Sequence, residues 1–351
     1  MTKESAVSTT PIIGVIGSGS WGTALVYHLA QRFSVLWYVR NPENAEMIRR
    51  GGRNPSYLRA VELPLKNIRI YSELRPILRK ATGVILVIPS RFLRPILDVI
   101  ASTHTKANWI ASAVKGMVMH SPHPLLVSEY LIEQCQWPAN RFFVISGPSH
   151  AEELVERKTT FLTVAGSSIE AYQSTFESVL ATSYLKLLYS TDVIGIQYAG
   201  IIKNVYAIMA GIIDGMGMGD NFKAVMMTAA LREMQMLAQH MANHTPPIFQ
   251  PAYAGDLLVT GYSRHSRNRA LGLMVGQGMR PRMALHELQM IPEGYFAVEA
   301  LHQRLGDHLH RFPILHSTYH ILYEGYSPQL EIKLLAEQIH RLFHTSTLHS
   351  Q

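Results

Sequence analysis

Cysteine is almost missing from this chain: Cys135 stands alone among 351 residues. That excludes an intrachain disulfide and fits a reducing compartment. Charge is sparse too. Asp, Glu, Lys and Arg together make up 16% of the residues, against about 25% in an average globular chain, so there is much interior for little surface. The net charge of +7 does not gather into runs; its densest clusters, EMIRRGGR (46–53) and SRHSRNR (263–269), are short. A basic stripe interleaved with aromatics is absent, so no nucleic-acid partner is expected. A scattered basic balance suits an enzyme that handles phosphorylated or dinucleotide anions. The N-terminus has too short an apolar run for a signal peptide. The longest apolar stretch, near 200–221, is broken by Lys203 and Asp214 and reads as too short for a bilayer, which takes about 20 residues. A soluble, cytoplasmic protein without membrane insertion is expected. Seventeen histidines raise the question of metal, but no His-Glu-x-x-His occurs. The HLH (308–310) and HRLFH (340–344) runs read as tail surface, so no metal is expected.

What is present is an alternation. Apolar runs PIIGVIG (11–17), SVLWYVR (34–40), GVILVIP (83–89), NWIASAV (108–114), RFFVISG (141–147) and TFLTVAG (160–166) read as strands. Helical patterns such as WGTALVYHLAQR (21–32) lie among them. Fully apolar strands alternating with helices indicate a parallel sheet covered on both faces. Strand signals stop near residue 190, and Met-rich amphipathic pieces such as FKAVMMTAALREMQMLAQHM (222–241) follow, their methionines reading as core packing. The expected class is α/β: a Rossmann-like, doubly wound dinucleotide-binding domain over 1–190, then an all-helical substrate and catalytic domain over 191–351.

GVIGSGSWGTA places Gly17, Gly19 and Gly22 in the spacing G-x-G-x-x-G between a strand and a helix. The first glycine makes the tight turn, the second admits a pyrophosphate, and the third lets the helix pack on the strand. The helix N-terminus then faces the phosphates. An NAD-preferring site carries an acid at the end of the second strand. Here that strand ends in Arg40 and Asn41, and the first acid is Glu43. An arginine there meets a 2′-phosphate, so NAD or NADP is expected, with NADPH the candidate for preference.

Lys203 is the anomaly of the second half. Its neighbours at helical spacing are Ile196, Ala199, Gly200, Tyr206, Ala207 and Ala210, a small apolar face. The lysine either snorkels to the surface or borders a site. Three other stretches hold polar residues in unusual company. SAVKGM puts Lys115 directly after an apolar strand, at the edge where doubly wound sheets bind ligands. ISGPSHAEEL offers Gly147, Pro148 and Ser149 before a helix start. PAYAGDLLVTGYSRHSRNRALG contributes Asp256 and Thr260, then Ser266, Arg267 and Asn268 ahead of a helical pattern, a plausible phosphate cradle or a solvated basic loop.

Taken in order, the segments GSGSWGTA, IPS (88–90), VKGM, SGPSHAEEL, IKNVYAIMAGIIDGMGMGDN, AGDLLVTGYSRHSRNR and IPEGYFAVEAL resemble the NAD(P)-dependent glycerol-3-phosphate dehydrogenases, the bacterial soluble form in particular. The resemblance implies interconversion of sn-glycerol 3-phosphate and dihydroxyacetone phosphate, a precursor step for glycerophospholipids, in a homodimer. It implies Ser20 and Trp21 on the cofactor with the glycine turn, Arg40 at the adenosine end, and Ala151, Arg267, Ile291 and Glu293 also on the cofactor. Lys115 would lie where cofactor and substrate meet, and Gly147 and Ser149 would touch substrate. Lys203 would transfer the proton, with Asn204, Asp256 and Thr260 at the reaction centre, while Ser266, Arg267 and Asn268 would hold the substrate.

The chain departs from the family pattern at His150, often Phe, at Tyr253 before the Ala-Gly-Asp-Leu run, and at Gly261, often Cys. Ala229 and Ala230 stand where many members read Arg-Gly. Two other readings share the layout. A hydroxy-acid dehydrogenase is disfavoured by the phosphate cradle, and a non-catalytic dinucleotide sensor by the intact proton-transfer residues.

Overall fold

A computed structural model describes residues 11–288 and 292–347. Its first half is one eight-stranded sheet of β1 (Ile12–Ile16), β2 (Ser34–Tyr38), β3 (Ile68–Tyr71), β4 (Gly83–Leu86), β5 (Trp109–Ser112), β6 (Phe142–Ser146), β7 (Thr160–Ala165) and β8 (Leu185–Ser190). The strand order is β3-β2-β1-β4-β5-β6-β7-β8. The first six strands are mutually parallel, in the 3-2-1-4-5-6 order of dinucleotide-binding sheets. The central strands β1 and β4 are apolar because helices cover both faces; Ile13, Val15 and Ile16 on β1 and Val84, Ile85 and Leu86 on β4 are all fully buried.

The expected parallel sheet is corrected at one seam. β7 pairs antiparallel with β6, Val144 opposite Ala165 and Ser146 opposite Thr163, and β8 runs parallel to β7. An apolar run records that both faces of a strand are covered, and it carries no mark of direction. Two strands, β3 and β8, escape the sequence reading altogether. They are the two edges of the sheet, and each has an exposed cation in its run, Arg69 in IRIY and Lys186 in LKLLYS.

Among the described residues no strand follows Ser190. The helical half is built around Val193–Gly215, a 23-residue helix. The sequence reading makes this stretch too short to cross a bilayer, and the structure corrects it: the helix is long and apolar enough, but its apolar window lies wholly inside the protein. Gly219–Ala242, Asp256–Tyr262, Arg267–Gly276 and Glu293–Leu305 pack around it. Met226, Met227 and Met234 are buried in that core. The approach of Arg267–Gly276 is backbone to backbone. A Cβ on Gly272 would lie 1.9 Å from the Ile208 carbonyl oxygen, and one on Gly211 would lie 2.1 Å from that of Arg269. Only glycine fits there, and the contact fixes Arg267 and Asn268 beside the helix that carries Lys203.

Candidate active site

The carboxyl ends of the parallel strands form the floor of the site. Gly17 leaves β1 at φ +132°, a conformation that L side chains rarely adopt, and a Cβ on Gly22 would lie 2.4 Å from the Gly17 carbonyl oxygen. Gly19, by contrast, faces open space, with no heavy atom within 4 Å of a built Cβ. Trp37 donates Nε1–H to the Gly17 carbonyl at 2.9 Å. Asn54 donates its amide to the Ser18 carbonyl at 3.0 Å and to Thr23 Oγ1 at 2.8 Å. The turn is thus pinned from two sides, and the Ser20–Leu29 helix opens with no side-chain cap. Its first N–H groups suit an anion. The open side of Gly19, the pinned turn and the uncapped helix start fit a dinucleotide pyrophosphate.

Three cavities run in sequence along this edge. The first, about 230 Å³, is lined by Gly17, Gly19, Tyr38, Arg40, Tyr57 and Phe92 among others. The second, about 240 Å³, takes in Gly19, Ser20, Trp21, Gly22, Tyr57 and Lys115. The third, about 200 Å³, is lined by Lys203, Asn204, Asp256, Thr260, Ser266 and Asn268. Gly19 and Tyr57 belong to both the first and second. Lys115, Ser149, Arg267 and Glu293 belong to both the second and third. A continuous path therefore leads from Arg40 past the glycine turn to Lys203.

In the third cavity one carboxylate meets two ammonium groups. Asp256 is 1% exposed; its Oδ2 lies 3.0 Å from Lys115 Nζ and its Oδ1 accepts from Lys203 Nζ. Lys203, 4% exposed, also donates to Thr260 Oγ1 at 2.8 Å, which in turn donates to the Asp256 carbonyl at 2.7 Å. Burial pulls the Lys203 pKa down, the Asp256 carboxylate pulls it up, the Lys115 charge pulls it down again, and the net result is lowered. Burial pushes the Asp256 carboxyl up, but Lys115 and Lys203 outweigh it and hold it below the usual carboxylate range. The buried lysine can therefore both give and take a proton near neutral conditions, and the carboxylate stays charged to orient it.

The rest of the wall is a polar network on close-packed helices. Asn268 donates to Asn204 Oδ1 at 2.9 Å and accepts from the Gly294 N–H at 2.9 Å. Ser266 caps the Arg267–Gly276 helix, its Oγ accepting from the Arg269 N–H at 3.3 Å. Glu293 opens the Glu293–Leu305 helix and accepts from the Ser90 N–H at 3.2 Å and the Ser90 hydroxyl at 2.6 Å. That contact joins the helical half to the loop after β4.

Most residues expected from the sequence line these cavities. Gly147, at φ +124°, and Ala151, the first residue of a five-residue helix, are not among the lining residues. Ile291 lies outside the described residues. Tyr57 was missed, although it lines two cavities. The only local signal for it is the Asn-Pro pair at 54–55, which marks a turn. Asn54 Oδ1 indeed accepts from the Ser56 and Tyr57 N–H groups. Of the departures from the family pattern, His150 lines the third cavity beside His265. Ala229 and Ala230 are fully buried. Gly261 lies against Met227, whose Cε would sit 2.6 Å from a built Cβ.

Comparison with known proteins identifies the family. Residues 12–172 match the sequence model of the NAD-dependent glycerol-3-phosphate dehydrogenase N-terminus, and residues 192–333 match that of the C-terminus. A glycerol-3-phosphate dehydrogenase (NAD(P)+) of an Exiguobacterium species is 35% identical over 326 residues, 92% of this chain and 94% of that protein. One from Clostridium botulinum is 33% identical over 327 residues, 92% of this chain and 96% of that one. The crystal structure of glycerol-3-phosphate dehydrogenase from Coxiella burnetii has a TM-score of 0.85 at 27% identity, covering 93% of this chain and 99% of that one. Two matching halves, near-complete coverage of relatives and one continuous site place this chain in the NAD-dependent glycerol-3-phosphate dehydrogenase family.

Proposed function

We propose that the protein reduces dihydroxyacetone phosphate to sn-glycerol 3-phosphate, and runs the reverse reaction, with NADPH or NADH. The observation that carries this reading is the buried Lys203–Asp256–Lys115 cluster in a cavity continuous with the glycine turn. When bound, the nicotinamide supplies or accepts the hydride. Everything else falls to the chain's own groups. Reduction leaves negative charge on the former ketone oxygen, and the Lys203 ammonium stabilises it and delivers the proton. Asp256 keeps the lysine charged and aimed, and Thr260 holds it from a second side. Lys115, where the second and third cavities meet, adds positive charge for the substrate. Ser266, Arg267 and Asn268 gather the phosphate at a helix start, where N–H groups and a guanidinium act together. Ser149 and Asn204 complete the substrate wall, with Gly147 shaping it. Ser20, Trp21, Gly22 and Glu293 flank the nicotinamide end of the path, with Ala151 supporting it, and Arg40 flanks the adenosine end.

The same proposal assigns cofactor binding to residues 1–190 and substrate binding and catalysis to 191–351. It places the protein in the cytoplasm, as a homodimer, supplying glycerol 3-phosphate for phospholipid synthesis. One assay tests the core of it: NADH and NADPH oxidation with dihydroxyacetone phosphate, run beside dihydroxyacetone and a set of oxo acids. Turnover far higher with the phosphorylated ketone than with any of the others is the expected result. Equal turnover with the unphosphorylated ketone, or turnover with oxo acids alone, would refute it.

A further inference from the structure

Tyr253 is fully buried, and its hydroxyl donates to Asp192 Oδ2. The other oxygen of Asp192 accepts from the Gly195 N–H at 2.7 Å and contacts His244 Nε2 at 2.9 Å. Asp192 is the N-cap of Val193–Gly215, the helix that carries Lys203. Tyr253 belongs to the Pro251–Gly255 turn, which runs directly into the helix beginning at Asp256. A single side-chain bond therefore joins the start of the lysine helix to the turn that delivers the aspartate.

Packing alone does not call for the hydroxyl. A phenylalanine would fill the same volume, and a buried hydroxyl costs stability unless it is bonded. Its partner already caps a helix, so the extra bond adds a tether between two elements. We propose that Tyr253 is a positioning residue: by gripping Asp192, it sets the placement of Asp256 against Lys203. The inference rests on the role proposed above for Lys203. Displacement of a reacting group by about 1 Å can lower turnover by roughly 10²-fold. The groups facing Lys203 are Asp256, Lys115 and Thr260, with His150 on the cavity wall. Asp256 is the one that favours the charged lysine, so a looser Asp256 lowers the pH at which Lys203 gives up its proton.

The test compares the full-length wild type with Tyr253→Phe, Asp192→Asn and Asp192→Ala. Thermal melts and NADPH binding by fluorescence accompany kcat for ketone reduction across pH. Tyr253→Phe is expected to stay folded and bind NADPH within about twofold of wild type, while kcat falls between several-fold and roughly 10²-fold. Its alkaline limb moves to lower pH. Asp192→Asn keeps a cap and an amide that can still bond the hydroxyl, so its profile stays near wild type; Asp192→Ala follows Tyr253→Phe. A Tyr253→Phe enzyme with wild-type kcat and pH profile, whatever its melting temperature, overturns the inference. Should that variant fail to fold, coincident profiles for Asp192→Asn and Asp192→Ala overturn it instead. A wild type inactive on the phosphorylated ketone would count against the function rather than the tether. The tether would then be read by ¹⁵N NMR titration of the lysine side chains in the cofactor-free protein, where an unmoved Lys203 signal overturns it.

Discussion

Lys203 and Asp256, 53 positions apart in the chain, meet as a buried ion pair at the junction of the third cavity with the protein core. Taking two charges out of water is costly, on the order of several kcal/mol per ion. Hydrophobic residues of similar volume would hold the two helices together at least as well. A fold that keeps the pair, and adds Lys115 to the same carboxylate, fits the proton donor proposed for Lys203.

Removing that donor separates binding from chemistry. Lys203→Ala should lower turnover by roughly 10²–10⁴-fold, the range that general acid–base catalysis supplies. NADPH affinity, measured by fluorescence, should change little, because the glycine turn and Arg40 lie in the other two cavities. A folded variant with near-normal turnover would remove Lys203 from the mechanism.

The pH dependence follows from the direction of the Lys203 shift. Ketone reduction needs the ammonium, so its kcat falls as pH rises through the lowered pKa, well before the ~10.4 of an ordinary lysine. Alcohol oxidation needs the neutral amine and rises over the same interval. Because the two lysines and the aspartate interact closely, the apparent value belongs to the cluster. Lys115 lowers the Lys203 pKa, so Lys115→Ala should move the reduction limb to higher pH even as substrate binding weakens. Profiles of kcat for both enzymes check the sign, and a limb displaced to lower pH would contradict it.

Arg267 lies where the second and third cavities join, at the start of a helix capped by Ser266. Arg267→Ala should raise the KM for dihydroxyacetone phosphate by the equivalent of about 1.5–3 kcal/mol, the range for hydrogen bonds to charged groups. The same change should leave the weak turnover of dihydroxyacetone nearly untouched. Equal losses on both substrates would mean that the arginine does not read the phosphate.

Much of this site is legible in the sequence because its residues break the local pattern they sit in. Lys203 interrupts an apolar helix face, Lys115 ends an apolar strand, and three glycines crowd one turn. Other parts leave no such mark. Tyr57 reaches the cofactor path from a loop with neither helical nor strand periodicity, held there by Asn54. The bond between Tyr253 and Asp192 spans 61 positions, and nothing local to either residue announces the other. The reversed direction of β7 is equally silent, since a buried strand is apolar whichever way it runs. Gly147 and Ala151 stand in a segment whose Ser149 lines two of the cavities, while neither of them is among the lining residues.

Cofactor choice turns on the first cavity. A glycine turn of this kind meets the pyrophosphate that NADP and NAD share and cannot tell them apart; discrimination rests at the end of the second strand. The Arg40 guanidinium there lies over the Phe92 ring, 3.8 Å from its centroid, while Arg91 approaches the same ring at 4.5 Å. Among the described residues no acidic side chain lines this cavity, so none of them there repels a 2′-phosphate. Stacking on Phe92 fixes the guanidinium plane and leaves its N–H edge for an anion. Both cofactors should therefore work, with NADPH equal or preferred. Arg40→Ala should weaken NADPH by about 1.5–3 kcal/mol, the range for a charged hydrogen bond, and NADH by clearly less. Fluorescence titration of each cofactor with wild type and variant decides the matter. A strict NADH preference unmoved by the substitution would show that Arg40 stacks on Phe92 without reading the 2′ position.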